Sequence, residues 1–340
     1  MKNKTYEAIY RAHTNIALIK YWGKRNQELY LPMTSSLSLT LESLYTDTAI
    51  KFDANLAHDT FSLDGKLQDD KETEKVSKFV DLFREYSDIK LPVAIESVNH
   101  VPTAAGLASS ASAFAALASA INAALGLELS PEVLSTFARQ GSGSSTRSLF
   151  GGLAIWHKGD GDDSASSYAE QIDDATFDIG MLIVVVNNQK KKISSRIGMQ
   201  HTIETSPFYK FWPEEVEKDL ALMLPAIEEK NIDKIGEIAE HNAMKMHSTM
   251  IASNPSFNYF EAKSLRAIEL VQQMRADGLS AYYTMDAGPN VKIICPYSQI
   301  DQIKTYLKDD FSDDQLIASR PGTAPYAINK LNQPLEMPYE

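Results

Sequence analysis

Apolar and polar positions alternate along the first part of the chain. In "TYEAIYRAHTNIALI" (5–19), "SSLSLTL" (35–41) and "YTDTAIKFD" (45–53), apolar and β-branched residues recur with a period near two, and each segment predicts a strand. "HDTFSLDGKLQ" (58–68) predicts a hairpin turning at Asp64-Gly65. The period then changes. Val76, Phe79, Val80 and Phe83 share one face of a helix over 71–86. "LPVAIESVNHV" (91–101) predicts another strand, "GGLAIWHK" (151–158) a further one, and "GDGDDSASSYAE" (159–170) a polar surface loop. The unbroken apolar run within "FDIGMLIVVVN" (177–187) predicts a buried strand. Helices are predicted at 213–229, 232–247, 262–277 and in "QIDQIKTYLKDDF" (299–311), with strands at "AYYTMD" (281–286) and "NVKIICP" (290–296).

Val101 to Leu127 interrupts both rhythms: 27 residues without a charged side chain, mostly alanine, serine and glycine. Its polar serines, Asn122, Pro102 and Gly106, and the lack of close flanking cations, argue against a membrane span. Phe114, Leu117, Ala118, Ile121 and Leu125 fall at helical spacing and predict a core-facing helix, followed by a second helix capped at Ser130-Pro131. The order strand, glycine-containing loop, small-residue helix also suits an anion site, because a helix N-terminus offers unpaired N–H groups and partial positive charge. A helix packed tightly on a sheet needs the same small residues, and on local chemistry both readings stay open. No G-x-x-x-x-G-K-[ST] and no complete G-x-G-x-x-G occurs.

Length and charge narrow the class. The 340 residues predict two lobes, divided near Asn187, with a loosely held proline-containing tail from 321. The net charge of -12 argues against nucleic-acid binding through bulk charge. Two basic islands stand out against it. Arg11, Lys20, Lys24 and Arg25 lie in one stretch without an acid, and Lys190, Lys191, Lys192 and Arg196 in another. Both are candidate sites for a multiply charged anion. Cys295 is the sole cysteine, which fits a reducing compartment, and the N-terminus shows no apolar leader; a cytoplasmic location is expected.

Two further stretches carry candidate chemistry. "RQGSGSSTRSLFGG" (139–152) sets Arg147 among glycines, where a guanidinium can fork onto a carboxylate or phosphate. In "TMDAGPNVKI" (284–293), Asp286 ends a strand before a tight turn; that suits proton transfer, although an Asx-turn explains the local pattern better.

Taken together and in order, "NIALIKYWGKR", "PTAAGLASSAS", "GSGSSTRSLFGG", "KKISSRIGMQ" and "TMDAGPNVK" resemble the diphosphomevalonate decarboxylases of the GHMP small-molecule kinase superfamily, over about 5–304. The "PxxxGLxSSA" loop identifies only the superfamily; "IKYWGKR" with "TMDAGPN" points to the decarboxylases. Ser145-Thr146 stand before Arg147 where relatives often have Ala-Cys.

The resemblance implies an α+β fold, with an S5-like N-terminal lobe and a ferredoxin-like C-terminal lobe. It implies ATP and Mg2+, a homodimer, and conversion of 5-diphosphomevalonate to isopentenyl diphosphate, carbon dioxide, ADP and phosphate through phosphorylation of the 3-hydroxyl. On this pattern Pro102, Thr103, Ala104, Ala105, Gly106, Leu107, Ala108, Ser109, Ser110 and Ser112 would cradle ATP, with Ser110 a magnesium contact. Tyr21, Lys24, Lys190, Ser195 and Arg196 would hold the substrate diphosphate, and Ser142, Ser144 and Arg147 its carboxylate end. Asp286 would accept or orient the hydroxyl proton, and Lys20 would neutralise the transferred phosphoryl group. His247 is read as a packed helix histidine. A kinase of the same superfamily that stops at phosphorylation, or a non-catalytic ligand sensor on the same fold, are the alternatives. Lys20 and Asp286 count against the sensor.

Overall fold

The computed structural model of the chain describes residues 6–101, 109–187, 189 and 192–334. Along the first half run β1 (Tyr6–Ile19), β2 (Lys24–Asn26), β3 (Leu31–Pro32), β4 (Ser36–Phe52), β5 (Thr60–Leu63), β6 (Lys66–Leu67), α1 (Asp70–Tyr86), β7 (Val93–His100), α2 (Ser109–Leu125), α3 (Pro131–Gly141), a helical turn at Gly143–Leu149, β8 (Leu153–Trp156) and β9 (Ala169–Asp173). The second half holds β10 (Gly180–Val184), α4 (Ser195–Thr205), α5 (Trp212–Glu228), α6 (Ile232–Ile251), α7 (Ala262–Ala276), β11 (Tyr282–Met285), β12 (Val291–Cys295), α8 (Ile300–Leu307), β13 (Leu316–Ser319) and β14 (Tyr326–Ala327).

The two segments expected as separate strands at 35–41 and 45–53 form one strand, β4. It runs antiparallel to β1, from Tyr6 opposite Phe52 to Ile19 opposite Leu37. Thr14 pairs with Leu41 and His13 with Tyr45, so Glu42, Ser43 and Leu44 bulge out without ending the strand. The predicted hairpin turns at Asp64-Gly65, where both residues adopt positive φ.

The N-terminal sheet runs β14-β1-β4-β7-β5-β6, with β8 and β9 continuing from β4. The second sheet has the order β11-β12-β10-β13, and its ladders are antiparallel. Numbered within that unit, this is the 4-1-3-2 order of a ferredoxin-like lobe. The boundary expected at 187 therefore needs correction. β10 lies between β12 and β13 in the C-terminal sheet, so the sheets divide between β9 and β10.

The layers follow from which faces are apolar. One face of the N-terminal sheet packs beneath α1, α2 and α3, through Ile50, Phe52, Ile95, Phe83 and Ile121. Ala111, Ala115 and Ala118 on α2 are fully buried, and α2 rides closely on β1 and β4; small side chains permit that approach. The opposite face, with Ile16, Leu18, Leu37 and Leu39, shares one core with α5, α6 and the inner face of the second sheet. α6 touches both β1 and β11. The outer face of the second sheet packs beneath α7 and α8.

The tail from 321 is not loosely held where it is described. Tyr326 and Ala327 add a strand to β1, opposite Arg11 and Tyr10. The Gly322 N–H donates to the Thr40 carbonyl at 2.8 Å, and the Asn332 N–H donates to Asp47 Oδ2 at 3.1 Å. Prolines are compatible with this extended path along a sheet edge. Residues 335–340 lie outside the described residues.

Candidate active site

A cleft of about 1070 Å³ opens where the two sheets meet. Its lining comes from the end of β1, the starts of α2 and α4, the turn at Gly143–Leu149 and the turn after β11.

β1 ends at Ile19, and the next residue turns a charge into the cleft. Lys20 Nζ donates to Asp286 Oδ1 at 2.7 Å and to the Ala17 carbonyl at 2.7 Å. The other carboxylate oxygen, Oδ2, lies 3.0 Å from Lys292 Nζ on β12. Lys20 and Lys292 are buried, while the Asp286 side chain keeps 24% exposure toward the cleft. Burial lowers Lys20 to about 8 and the attraction of Asp286 recovers only part of that shift. Burial alone would raise the Asp286 carboxyl, but the two lysines outweigh it and hold the group well below the usual carboxylate range. The three groups thus set an ionised carboxylate between two lysine side chains. The backbone beneath it is braced: Lys20 N–H donates to Asn242 Oδ1 at 2.8 Å, Asn242 donates to Asp219 at 2.8 Å, and Lys245 reaches Asp219 and Glu215.

Arg147 sits in the helical turn and is buried. It donates to the hydroxyls of Ser36 and Ser38 and, at 3.4 Å, to Asn15 Oδ1, and it meets no carboxylate within ion-pair distance among the described residues. Burial lowers it to about 10, so it remains charged at neutral pH. Asn15 in turn donates to the Ser144 carbonyl and the Ser148 hydroxyl, each at 2.8 Å. A line of hydroxyls runs alongside: Ser110 Oγ to Ser142 Oγ, and Ser142 Oγ to Ser144 Oγ, each 3.1 Å. Gly143 is required here, since a Cβ would stand 2.9 Å from the Tyr21 ring. Ser145 and Thr146 are buried and donate to the carbonyls of Ala138, Ser142 and Gly143, so this pair serves the turn's own packing.

At the other end of the cleft Lys24 Nζ lies 3.4 Å from the centre of the Tyr30 ring, and Arg196 Cζ lies 5.7 Å from the same ring. Burial lowers Lys24 to about 8, with Arg196 adding to the effect. Among the described residues the buried Tyr21 hydroxyl has no hydrogen-bond partner, and Ser195 opens α4 beside Arg196. These groups converge at one end of the cleft, and such a set of donors suits an anion.

Two family models divide the chain between them. A diphosphomevalonate decarboxylase-like N-terminal domain matches residues 12–169, and a mevalonate 5-diphosphate decarboxylase C-terminal domain matches residues 181–336. The chain belongs to the diphosphomevalonate decarboxylase family. A mevalonate diphosphate decarboxylase structure from Enterococcus faecalis is 48% identical, with TM-score 0.89, covering 95% of this chain and 99% of that one. One from Staphylococcus aureus is 45% identical with TM-score 0.91, covering 95% and 98%. The human diphosphomevalonate decarboxylase is 36% identical over 83% of this chain and 75% of its own length. The fold is the two-lobed α+β GHMP-kinase fold of these decarboxylases.

Within this decarboxylase fold most of the expected site residues meet. Lys20, Tyr21, Lys24, Arg147 and Asp286 line the cleft. So do Ser109, Ser110, Ser142, Ser144, Ser195 and Arg196. Pro102, Thr103, Ala104, Ala105, Gly106, Leu107, Ala108 and Lys190 lie outside the described residues. Ser112 does not join the cleft. One turn into α2 its side chain faces the sheet, where its hydroxyl shares a 2.8 Å hydrogen bond with Thr46 and donates to the Ser109 carbonyl. Arg11, counted in the first basic island, is paired with Asp47 at 2.7 Å beneath the tail, and Arg25 pairs with Asp162 and braces the 158–161 loop. His247 is buried against the Phe260 ring, as expected of a packed histidine.

Asn15 and Lys292 were missed. Each stands inside a quoted motif, but a polar side chain at one inward position of a strand gives no signal until its partner, 132 or 6 residues away, is known.

Proposed function

We propose that this chain catalyses the ATP-dependent decarboxylation of (R)-5-diphosphomevalonate to isopentenyl diphosphate, carbon dioxide, ADP and phosphate. The observation that carries the reading is Arg147, a buried guanidinium held by Ser36, Ser38 and Asn15 with no carboxylate within ion-pair distance among the described residues. A buried charge left unpaired is costly, and a substrate carboxylate supplies the missing partner. A solved complex of a related protein, 48% identical, contains MVAPP, AMPPCP and magnesium.

The diphosphate of the substrate would enter between Tyr21, Lys24, Ser195 and Arg196, with Lys190 from the adjoining segment. Ser142 and Ser144 would assist Arg147 at the carboxylate end. The 3-hydroxyl would then face Asp286 Oδ1. Between two lysines this carboxylate is a weak base, so its main work is to orient the hydroxyl and accept its proton as the new O–P bond forms. Lys20 would neutralise charge on the transferred phosphoryl group. The phosphate at C3 then leaves, positive charge grows at C3, and the carboxylate held by Arg147 gives up its C–C bond electrons to form the alkene.

ATP would lie against the start of α2, with Ser109 and Ser110 near its phosphates. Among the described residues no cluster of three acids, histidines or cysteines exists to cage a metal. The cleft instead offers the Ser110 hydroxyl and the separate carboxylates of Asp286 and Glu28, which suits a magnesium ion held chiefly by phosphate oxygens and water. When bound, that ion neutralises phosphate charge. The enzyme is assigned to the cytoplasm as a homodimer, in keeping with its family resemblance and its one buried thiol, Cys295.

The test is direct: incubate the protein with magnesium-ATP and diphosphomevalonate and assay both ADP and carbon dioxide. Equal release of both supports the reading. ADP without carbon dioxide would make the chain a kinase that stops at phosphorylation, and release of neither would leave a binding protein.

A further inference from the structure

β12 carries a lysine on a face that is otherwise apolar. Val291, Ile293 and Cys295 point toward α7 and α8, and Ile294 points into the core shared with the N-terminal sheet. By strand alternation Lys292 shares the side of Ile294. Its side chain is fully buried, and Thr284 of β11 stands opposite. An ammonium there loses hydration worth several kcal/mol and needs a counter-charge. Asp286 Oδ2 at 3.0 Å and the Asn290 carbonyl at 3.2 Å supply it. The turn that brings them together is itself tied down, because Asn290 Oδ1 accepts from the N–H groups of Val186 and Asn187.

Lys20 and Asp286 line the cleft, whereas Lys292 does not. One carboxylate oxygen is therefore held from behind while the other meets Lys20 at the cleft wall. We propose that Lys292 is a positioning residue that holds Asp286 Oδ2 from behind the cleft, so that Oδ1 is presented beside Lys20 to the substrate hydroxyl. This rests on the reading of Asp286 as the group that receives the hydroxyl proton. The groups facing Asp286 are Lys20 from the end of β1, Lys292 from β12, His247 from α6 and Arg147 from the helical turn. Lys20 and Arg147 still face the carboxylate when Lys292 is removed, so the role of Lys292 is one of geometry. Freed from its rear contact, the carboxylate can turn both oxygens to Lys20, and a misplacement of about 1 Å can cost on the order of 100-fold in rate.

A double-mutant cycle tests this. Wild type, Lys292→Met, Asp286→Asn and the double variant are compared in kcat, KM for both substrates and thermal midpoint. Lys292→Met is expected to lower kcat at least about tenfold with both KM values within about twofold, and to cost less than about twofold more when Asp286→Asn is already present. Equal losses in both backgrounds would show that Lys292 acts only through stability and overturn the proposal. If Lys292→Met does not fold, Lys292→Gln completes the same cycle. An inactive wild type would overturn the underlying reading of the function, whereas an active wild type with equal losses overturns the role of Lys292 alone.

Discussion

Lys20 and Asp286 stand 266 residues apart in sequence and 2.7 Å apart in space, one at the end of the first strand of the N-terminal sheet, the other at the end of β11 in the C-terminal sheet. Neither lobe holds the pair by itself.

Asp286→Asn is nearly isosteric and should leave both binding sites intact. ADP and carbon dioxide should fall together, by at least the ~10²-fold typical of losing a positioned acid–base group. Substrate affinity by calorimetry should stay within about 1.4 kcal/mol of wild type, a factor of ten. ADP made at the normal rate without carbon dioxide would move Asp286 to the elimination step.

Arg147→Lys keeps the charge and loses the planar fork. A single ammonium cannot reproduce the separate contacts to Ser36, Ser38 and Asn15 while also meeting a carboxylate. Turnover should drop by about tenfold or more, in line with charge-assisted hydrogen bonds of about 1.5–3 kcal/mol. Magnesium-ATP affinity should change little. Near-normal turnover would remove Arg147 from the substrate site.

Ser110→Ala should spare the fold. The residue is exposed and, among the described residues, its hydroxyl meets only Ser142. Stability should remain within about 0.5 kcal/mol of wild type, while KM for ATP, kcat or both worsen. A shifted unfolding midpoint with an unchanged ATP dependence would return the start of α2 to a packing role.

His13 and His247 are both buried, and burial lowers each from 6.5 to about 4. Their folded values lie below the unfolded one, so the unfolded chain binds protons first as pH falls. The stability they confer as neutral rings is complete above about pH 6.5 and is lost progressively toward about pH 4. Denaturant midpoints measured across that window should fall, and His13→Gln should make the fall shallower. An equally steep fall in that variant would mean His13 takes no part.

The long elements and their faces were legible because their periods are long and clean: β1, α1 and α5 to α7 all lie where apolar spacing puts them. Short or weakly patterned elements were not. α4 buries only Gly198 and Thr202, so its helix has no apolar stripe to read, although Ser194 caps it. β9 begins inside a polar loop and is a strand because β8 offers its edge. β10 reads as a buried strand but not as the centre of the second sheet, since its partners β12 and β13 lie more than a hundred residues on. In the site, motif residues that face the cleft were legible by type. Asn15 and Lys292, whose work is done on other side chains, became visible only through contact.

α6 lies between the sheets, touches β1 and β11, and carries the Asn242 side chain that holds the Lys20 backbone. The two lobes cannot then melt one after the other as separate units. Loss of either sheet uncovers the core they share and dissolves the Lys20–Asp286 pair in the same event. Unfolding should be a single cooperative transition, with activity and secondary structure disappearing at one midpoint. A fragment ending at β9 would expose an apolar face and carry Lys20 without Asp286.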